Sequence, residues 1–330
     1  MDWKILGHDW AVETLSEHVS RKAVRHAYLF TGPQGVGRRT LALRFAQAVN
    51  CNASKIPGQP CGECRSCRLI EQQQHPDLLV IQAEEVGTRL KIDQIREIQH
   101  TLSLSPYEAN YRVAIFLRFD EANHQAMNAL LKTLEEPPAR VIILMTAANE
   151  ELLLPTISSR CEILRLRPLT VEQLSEGLQA LWGMSREKAE ELAHISGGRP
   201  GYAFDLYENP ELAKRRTAAL DVLFRLLPAA RVERFAYVEK HYNDNEGIRF
   251  LTQIWLSVWR DVLIVAAGAK TPIQNIDHVH KIEELAHQCG FGRARTMVNS
   301  IDRTMSLLDK NVNKRLALEV MMLDLPFTKS

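Results

Sequence analysis

Two groups of residues near the start of the chain could do chemistry. Cys51, Cys61, Cys64 and Cys67 form a C-x9-C-x2-C-x2-C series. Four thiolates are the set that a closed tetrahedral zinc site uses, and a site without an open position holds structure rather than catalysing. Pro57, Gly58, Pro60 and Gly62 supply the tight turns between the ligands. A Cys-x-x-Cys pair can also be a redox dithiol. That motif normally opens a helix after a strand, and it does not come with two further cysteines at ligand spacing. The pattern favours structural zinc pinning an inserted segment, 51–67. Cys161 and Cys289 stand apart and read as small buried apolar residues.

The second group is "FTGPQGVGRRT", Phe30 to Thr40. Gly32, Gly35 and Gly37 follow an apolar run and precede a helical one. In that arrangement backbone N–H groups and the positive end of the helix hold a phosphate. A working loop continues with Lys, which reaches the terminal phosphates, and then with Ser or Thr, which holds Mg²⁺. Arg38 keeps the charge of that Lys but not its shape, and Arg39 puts a cation where the hydroxyl belongs. Thr40 cannot stand in, because one position along a helix turns the side chain by about 100°. The expectation is a degenerate, empty loop with both arginines on a solvated helix face. A loop that binds ATP without hydrolysing it is the weaker alternative.

Strands and helices must position these groups. The apolar runs "AYLFT" (27–31), "DLLVI" (77–81), "RVAIFL" (112–117), "VIILMT" (141–146) and "EILRL" (162–166) alternate with amphipathic helical patterns such as "RRTLALRFAQAVN" and "NALLKTLEE". Short strands without polar alternation, separated by helices, predict an α/β domain with a doubly wound parallel sheet and a ligand crevice beyond its carboxyl ends. After "RLRPLT" the strand signal stops. Thr170 and Ser185 are expected N-caps of two helices, and from about 208 onward the pattern is helical throughout. Turns are expected at Pro228, Asn243 to Asn245, Pro272 and Gly290 to Gly292. The organisation read from this is an α/β domain (1–167), a small helical domain (168–207) and an all-α terminal domain (208–330).

Composition narrows the function class. The chain has 330 residues, more than one core usually serves. Its 41 Lys and Arg against 40 Asp and Glu leave a net charge of +1. A zinc-bearing module that binds DNA alone would carry a basic excess, so any DNA contact is expected to be local or shared with partners. The start "MDWKILGHDW" lacks the apolar core of a signal peptide, and "VLIVAAGA" is too short to span a bilayer. A soluble, cytoplasmic protein is expected.

"NALLKTLEEPP" (Asn128 to Pro138) and "TISSRC" (Thr156 to Cys161), taken with the loop and the inserted cysteines, resemble the bacterial clamp-loader subunits of DNA polymerase III, members of the AAA+ family. The resemblance is strong over the first 205 or so residues, and "NVNKRLALEVMMLDL" (Asn311 to Leu325) resembles the terminal collar helix of the same subunits. Two branches share this architecture, an active gamma/tau-type ATPase and a delta-prime type that is degenerate in many bacteria. Counting back from Asn128, the ATPase's catalytic acid pair falls on Leu117 and Arg118. Asp120 and Glu121 come three residues too late and read as a charge pair at a helix N-terminus. The polar sensor falls on Ala147 and Ala148, and the second sensor arginine falls on Gly201, with Arg199 out of register.

Four altered parts resemble the delta-prime type rather than gamma/tau, which needs Lys and Thr at 38 and 39 and an acid at 117 or 118. The resemblance implies a subunit of the DNA polymerase III holoenzyme that does not turn over ATP alone. Its implied partners are the gamma/tau ATPase and delta subunits, the sliding clamp and primed DNA, with no membrane. From sequence alone Arg160 could equally be structural, paired with a local acid. The resemblance implies an arginine finger reaching the ATP of a neighbouring subunit. Lys132, Glu135 and Glu136 receive no chemistry.

Overall fold

The computed structural model describes residues 3–83, 90–308 and 313–328. Asn311 and Val312, the first residues of the collar-like ending, lie outside the described residues. The chain divides into two compact units, residues 1–177 with 198–202, and residues 178–197 with 203–330.

The first unit is built on five strands: β1 (Ala27–Thr31), β2 (Leu78–Ile81), β3 (Arg112–Phe116), β4 (Val141–Ala147) and β5 (Glu162–Arg165). They pair in the order β2-β3-β4-β1-β5, all parallel, with Ala27 opposite Ile143 and Arg112 opposite Val141. The three central strands are buried along their whole length, which is why they read as unbroken apolar runs. The edge strands β2 and β5 are partly exposed. Successive residues of a strand feed opposite faces. Tyr28, Phe30, Val113, Ile115, Ile142 and Leu144 pack on one side. Leu29, Ala114, Phe116, Ile143 and Met145 pack on the other.

Helices α1 (Asp9–Ser20) and α2 (Arg38–Asn50) cover the first face through Leu15, Leu41 and Phe45. The short helix α3 (Arg65–Glu71) lies against α2, where Gln47 Nε2 donates to the Cys67 carbonyl at 2.8 Å. Helices α4 (Ile92–Leu102) and α5 (His124–Glu135) cover the second face through Ile95, Leu130 and Leu134. A single helical turn, α6 (Pro155–Ser158), precedes β5. Thr170 starts α7 (Val171–Trp182) with a capping box. Its Oγ1 accepts from the Gln173 N–H, and Gln173 Oε1 accepts from the Thr170 N–H, both at 3.2 Å. Ser185 caps α8 (Arg186–Ile195), accepting from the Lys188 N–H at 3.3 Å. The α9 helix (Pro200–Glu208) follows. Residues 168–207 contribute to both units.

The second unit adds α10 (Pro210–Leu226), α11 (Arg231–His241), α12 (Asn245–Ala266), α13 (Val279–Leu308) and α14 (Lys314–Asp324). Its core is centred on Leu223, Trp255, Trp259, Ile282 and Met297. The expected turn at Gly290 to Gly292 is a kink instead. Gly290 takes φ 67°, where a Cβ would be strained, and the helix resumes at once. Buried Arg234, 4% exposed, ties this unit's ends together by donating to carbonyls at the end of α10 and beyond α14. Among the described residues no helix is long and apolar enough to cross a membrane.

Candidate functional site

The phosphate-type loop sits where the sheet needs it, between β1 and α2. Gly32 N–H donates to the carbonyls of Ala147 and Ala148 at 3.3 and 3.2 Å, tying the loop to the end of β4. At φ 143°, a Cβ on Gly32 would lie 2.3 Å from the Leu166 carbonyl oxygen, so no other residue fits. Gly35 takes φ 82°, and its carbonyl accepts from the Gly201 N–H at 2.8 Å. Tyr202 lies over the same glycine, within 3.0 Å of where a Cβ would stand. The segment that should bring a sensor arginine therefore brings Gly201 and its backbone. Arg199 instead places its guanidinium 4.6 Å from the centre of the Tyr202 ring. His8 Nε2 meets the Val36 carbonyl at 3.0 Å from the other side, a contact between residues 28 positions apart that no local pattern announces.

The arginines behave differently from each other. Arg39 and Thr40 are exposed, as a solvated helix face requires. Arg38 is 9% exposed, which corrects the expectation that it lies on that face. Its Nη1 has no hydrogen-bond partner among the described residues. Burial pulls its pKa down, Asp120 and Glu121 oppose the shift, and Arg118 adds to it.

That grouping also corrects the reading of the acids. Asp120 and Glu121 lie on a 3₁₀ turn of their own, Phe119–Glu121, and not in the first turn of α5. The α5 N-cap is Asn123, which accepts from the Ala126 N–H at 2.7 Å. Asp120 Oδ2 accepts from the Ala148 N–H at 3.2 Å, and Arg118 Nε lies 3.3 Å from Glu121 Oε2. Asp120 thus meets a backbone amide and Glu121 the Arg118 guanidinium.

Magnesium-dependent hydrolysis needs a carboxylate at a strand's carboxyl end near the loop, and the resemblance puts it at the end of β3. Leu117 there is 8% exposed and apolar, and Arg118 is a cation with φ 51°. Arg39 in place of the hydroxyl, Leu117 and Arg118 in place of the acids and only Ala147 and Ala148 at the sensor position leave a magnesium ion without protein ligands, while the loop amides and arginines suit a phosphate alone. Gly32, Gly35, Gly37, Arg38, Arg39 and Thr40 therefore keep the turn of a phosphate loop and lack the groups that hold its magnesium.

Arg160 stands just past α6. Its Nη2 pairs with Glu135 Oε1 at 2.8 Å, and its Nη1 donates to the Thr156 carbonyl at 2.9 Å. The arginine side chain is 36% exposed and the glutamate 50%, so the pair faces solvent and contributes about 0–1 kcal/mol.

The four clustered cysteines come together, as their spacing predicts, with all four Sγ atoms within 4.8 Å of one another. A tetrahedron with metal–sulfur bonds of about 2.3 Å needs sulfurs roughly 3.8 Å apart, and Cys61 and Cys67 already stand at 4.0 Å. The Cys61, Cys64 and Cys67 N–H groups donate to Cys51, Cys61 and Cys64 Sγ at 3.4, 3.3 and 3.4 Å. Such donors stabilise thiolates, and the Cys64 N–H is the main reason the Cys61 thiol is pulled down to about 7. Burial pushes the Cys64 and Cys67 thiols up, a cost that a bound cation offsets. The donor set fits a soft metal ion. Trp3 Nε1 donates to the Gly58 carbonyl at 3.2 Å and Ser20 Oγ to the Pro57 carbonyl at 2.9 Å, fastening the insert to the unit. Cys161 is remote from this cluster, its thiol pushed up to about 12 by burial, and Cys289 is buried at 9% exposure.

Comparison with known proteins bears on both ends of the chain. A family model described as DNA polymerase III, delta subunit, matches residues 7–170, and one described as the C-terminal part of that subunit matches 210–326. DNA polymerase III subunit delta' of Bacillus subtilis is 26% identical over 94% of each chain. The delta' subunit of Pseudomonas aeruginosa is 34% identical over 58% of this chain and 59% of its own. Subunit tau of Salmonella typhimurium is 35% identical over 53% of this chain, which spans only 27% of that relative. Among solved structures, a DNA polymerase III gamma subunit-related protein from Thermotoga maritima aligns over 94% of this chain and 97% of its own, at 20% identity and a TM-score of 0.48.

Proposed function

The chain belongs to the DNA polymerase III delta-subunit family, and we propose that it works as the delta-prime member of a cytoplasmic clamp loader. In that role it takes part in loading a sliding clamp onto primed DNA beside gamma/tau ATPase and delta subunits, without hydrolysing ATP itself. The observation that carries this reading is the carboxyl end of β3, where Leu117 and Arg118 occupy the positions that the resemblance gives to the acid pair and Arg38 is buried in the field of Asp120. A gamma/tau-like active subunit would need those positions intact, and the tau relative matches only 53% of the chain. In this proposal 1–167 is the AAA+ domain, 168–207 the lid and 208–330 the collar that holds the chain in its arc of subunits.

Arg160 is the part of the chemistry that this chain supplies. The solvent-facing pair with Glu135 is cheap to break, which leaves the guanidinium available to the terminal phosphates of ATP on a neighbouring subunit. A cation placed there stabilises the charge that develops as the phosphoryl group departs. The metal held by Cys51, Cys61, Cys64 and Cys67 is zinc in this account, because an all-thiolate tetrahedral set suits zinc and leaves no open coordination position.

Titration of the isolated chain with Mg-ATP, together with a phosphate-release assay, tests the degenerate-site reading. The expected result is neither saturable binding at millimolar nucleotide nor turnover. Turnover abolished by Arg38→Ala would overturn it.

A further inference from the structure

The four-cysteine centre stands at one end of a hydrogen-bonded chain that runs to the surface. Cys64 caps α3 by accepting from the Cys67 N–H, so two of the ligands fix the first turn of that helix. Ser66 lies between them, and its Oγ meets His75 Nε2 at 3.0 Å. His75 Nδ1 accepts from the Asp77 N–H at 3.0 Å, which puts the imidazole proton on Nε2 and makes Ser66 Oγ the acceptor. Asp77 in turn accepts from three successive backbone amides, those of Tyr107, Glu108 and Ala109, at 2.7, 2.9 and 3.0 Å.

Two further ties join the same partners. Arg65, next to Cys64, pairs with Glu108 at 2.7 Å, and Asn52, next to Cys51, accepts from Asn110 at 2.8 Å. His75 and Asp77 are 3% and 1% exposed, so water does not readily replace a lost partner along this chain.

Residues 103–111 form no helix or strand of their own. Beyond Leu104 their backbone order comes from side-chain ties to Asp77, which Arg112 also holds, and to Asn50, Asn52 and Arg65 beside the cysteines. Yet this segment presents Leu104 at 54% and Tyr107 at 81% exposure.

We propose that the metal centre anchors this surface segment through Ser66, His75 and Asp77. With the ion bound, α3 is held, the chain of hydrogen bonds is set and amides 107–109 are protected. With the ion removed, those amides open while the sheet stays folded. The inference rests on the metal reading of the four cysteines and is independent of the replication role. It contrasts with a module that only staples itself to Trp3, α1 and α2 through Gly58, Pro57 and Cys67.

Hydrogen exchange of the full chain tests it, comparing zinc-loaded protein in reducing buffer with chelator-stripped protein and with metal content measured in both. The expected result is that amides 107–109 exchange at least about tenfold faster after stripping, with β3 and β4 unchanged. Ser66→Ala, which removes no ligand, should keep its zinc and still speed the same amides. Three results would overturn the proposal. They are unchanged 107–109 exchange while 61–71 opens, a loaded Ser66→Ala chain that matches wild type, or loss of protection across the whole sheet. A chain that takes up no zinc removes the premise itself, and the metal measurement reports that case separately.

Discussion

Replacing Arg234 by alanine should destabilise the second unit by about 3–5 kcal/mol, because several buried carbonyls lose their donor at about 1–3 kcal/mol each, less than additively. Arg234 is 4% exposed, and among the described residues its hydrogen-bond partners are all carbonyl oxygens. It is solvated by carbonyls, donating to Leu226, Leu227, Met322 and Pro326 at 3.0, 2.8, 3.2 and 3.1 Å and also to Leu325. Several of these close the C-terminal turns of α10 and α14, where a cation also meets the negative ends of two helices. Burial lowers its pKa and Arg231 adds to the shift, yet an arginine stays charged. Hydrogen bonds to a charged group contribute about 1.5–3 kcal/mol each, and they are not additive around one side chain. Arg234→Lys keeps the charge but offers only three donors to these carbonyls, so about half the loss should remain. Urea unfolding followed by tryptophan fluorescence reads this once Trp3 and Trp10 of the first unit are replaced by phenylalanine, since the other three of the five tryptophans, Trp182, Trp255 and Trp259, belong to this unit. A loss below about 1 kcal/mol for alanine, or a lysine variant equal to wild type, would refute the reasoning.

Other outcomes follow from single contacts. Burial pushes the Asp77 carboxyl up, but the amides of Glu108, Tyr107 and Ala109 and the Arg112 guanidinium outweigh it and hold its pKa below the ordinary aspartate value. Its stabilisation is therefore present above the unfolded value of about 3.9 and is lost as pH falls through the lower folded value. Acid unfolding monitored by circular dichroism should show this, and Asp77→Asn should flatten that part of the profile. Trp255 Nε1 donates to the Ala219 carbonyl at 2.9 Å, whereas the equally buried Trp259 Nε1 has no partner among the described residues. Trp255→Phe should accordingly cost about 1 kcal/mol more than Trp259→Phe in the same urea assay. Atomic emission on reduced protein should find about one zinc per chain, and Cys61→Ser or Cys67→Ser should abolish it.

The parts of the fold that depend on nearby residues were legible. The strands β1, β3 and β4 are buried on both faces, so their apolar runs carried the signal within a residue or so of their ends. The cysteine cluster was readable because its ligands lie within seventeen residues, Cys51 to Cys67, and turn residues bring them together. Arg38 was misplaced because its environment is set by Asp120 and Arg118 on another strand's end, and a helix pattern says nothing about what faces its first turn. Asp120 and Glu121 were misassigned for the mirror reason. They sit beside a helix start in sequence, but Asn123 takes the α5 cap and leaves them on a short turn of their own. The packing of Gly201 and Tyr202 on Gly35 joins residues more than 160 apart and left no local trace. Gly290 signalled a break, and only the coordinates show that the helix continues beyond it.

ATP turnover by the loader, reconstituted with its ATPase subunit, clamp and primed DNA, tests most directly whether this chain completes a neighbour's site rather than serving one of its own. Wild type would be compared with Arg160→Ala, and the isolated chain run in parallel. The account predicts a silent isolated chain and reconstituted turnover cut at least about tenfold by the substitution. Hydrolysis by the isolated chain, with the assembly indifferent to loss of Arg160, would contradict it.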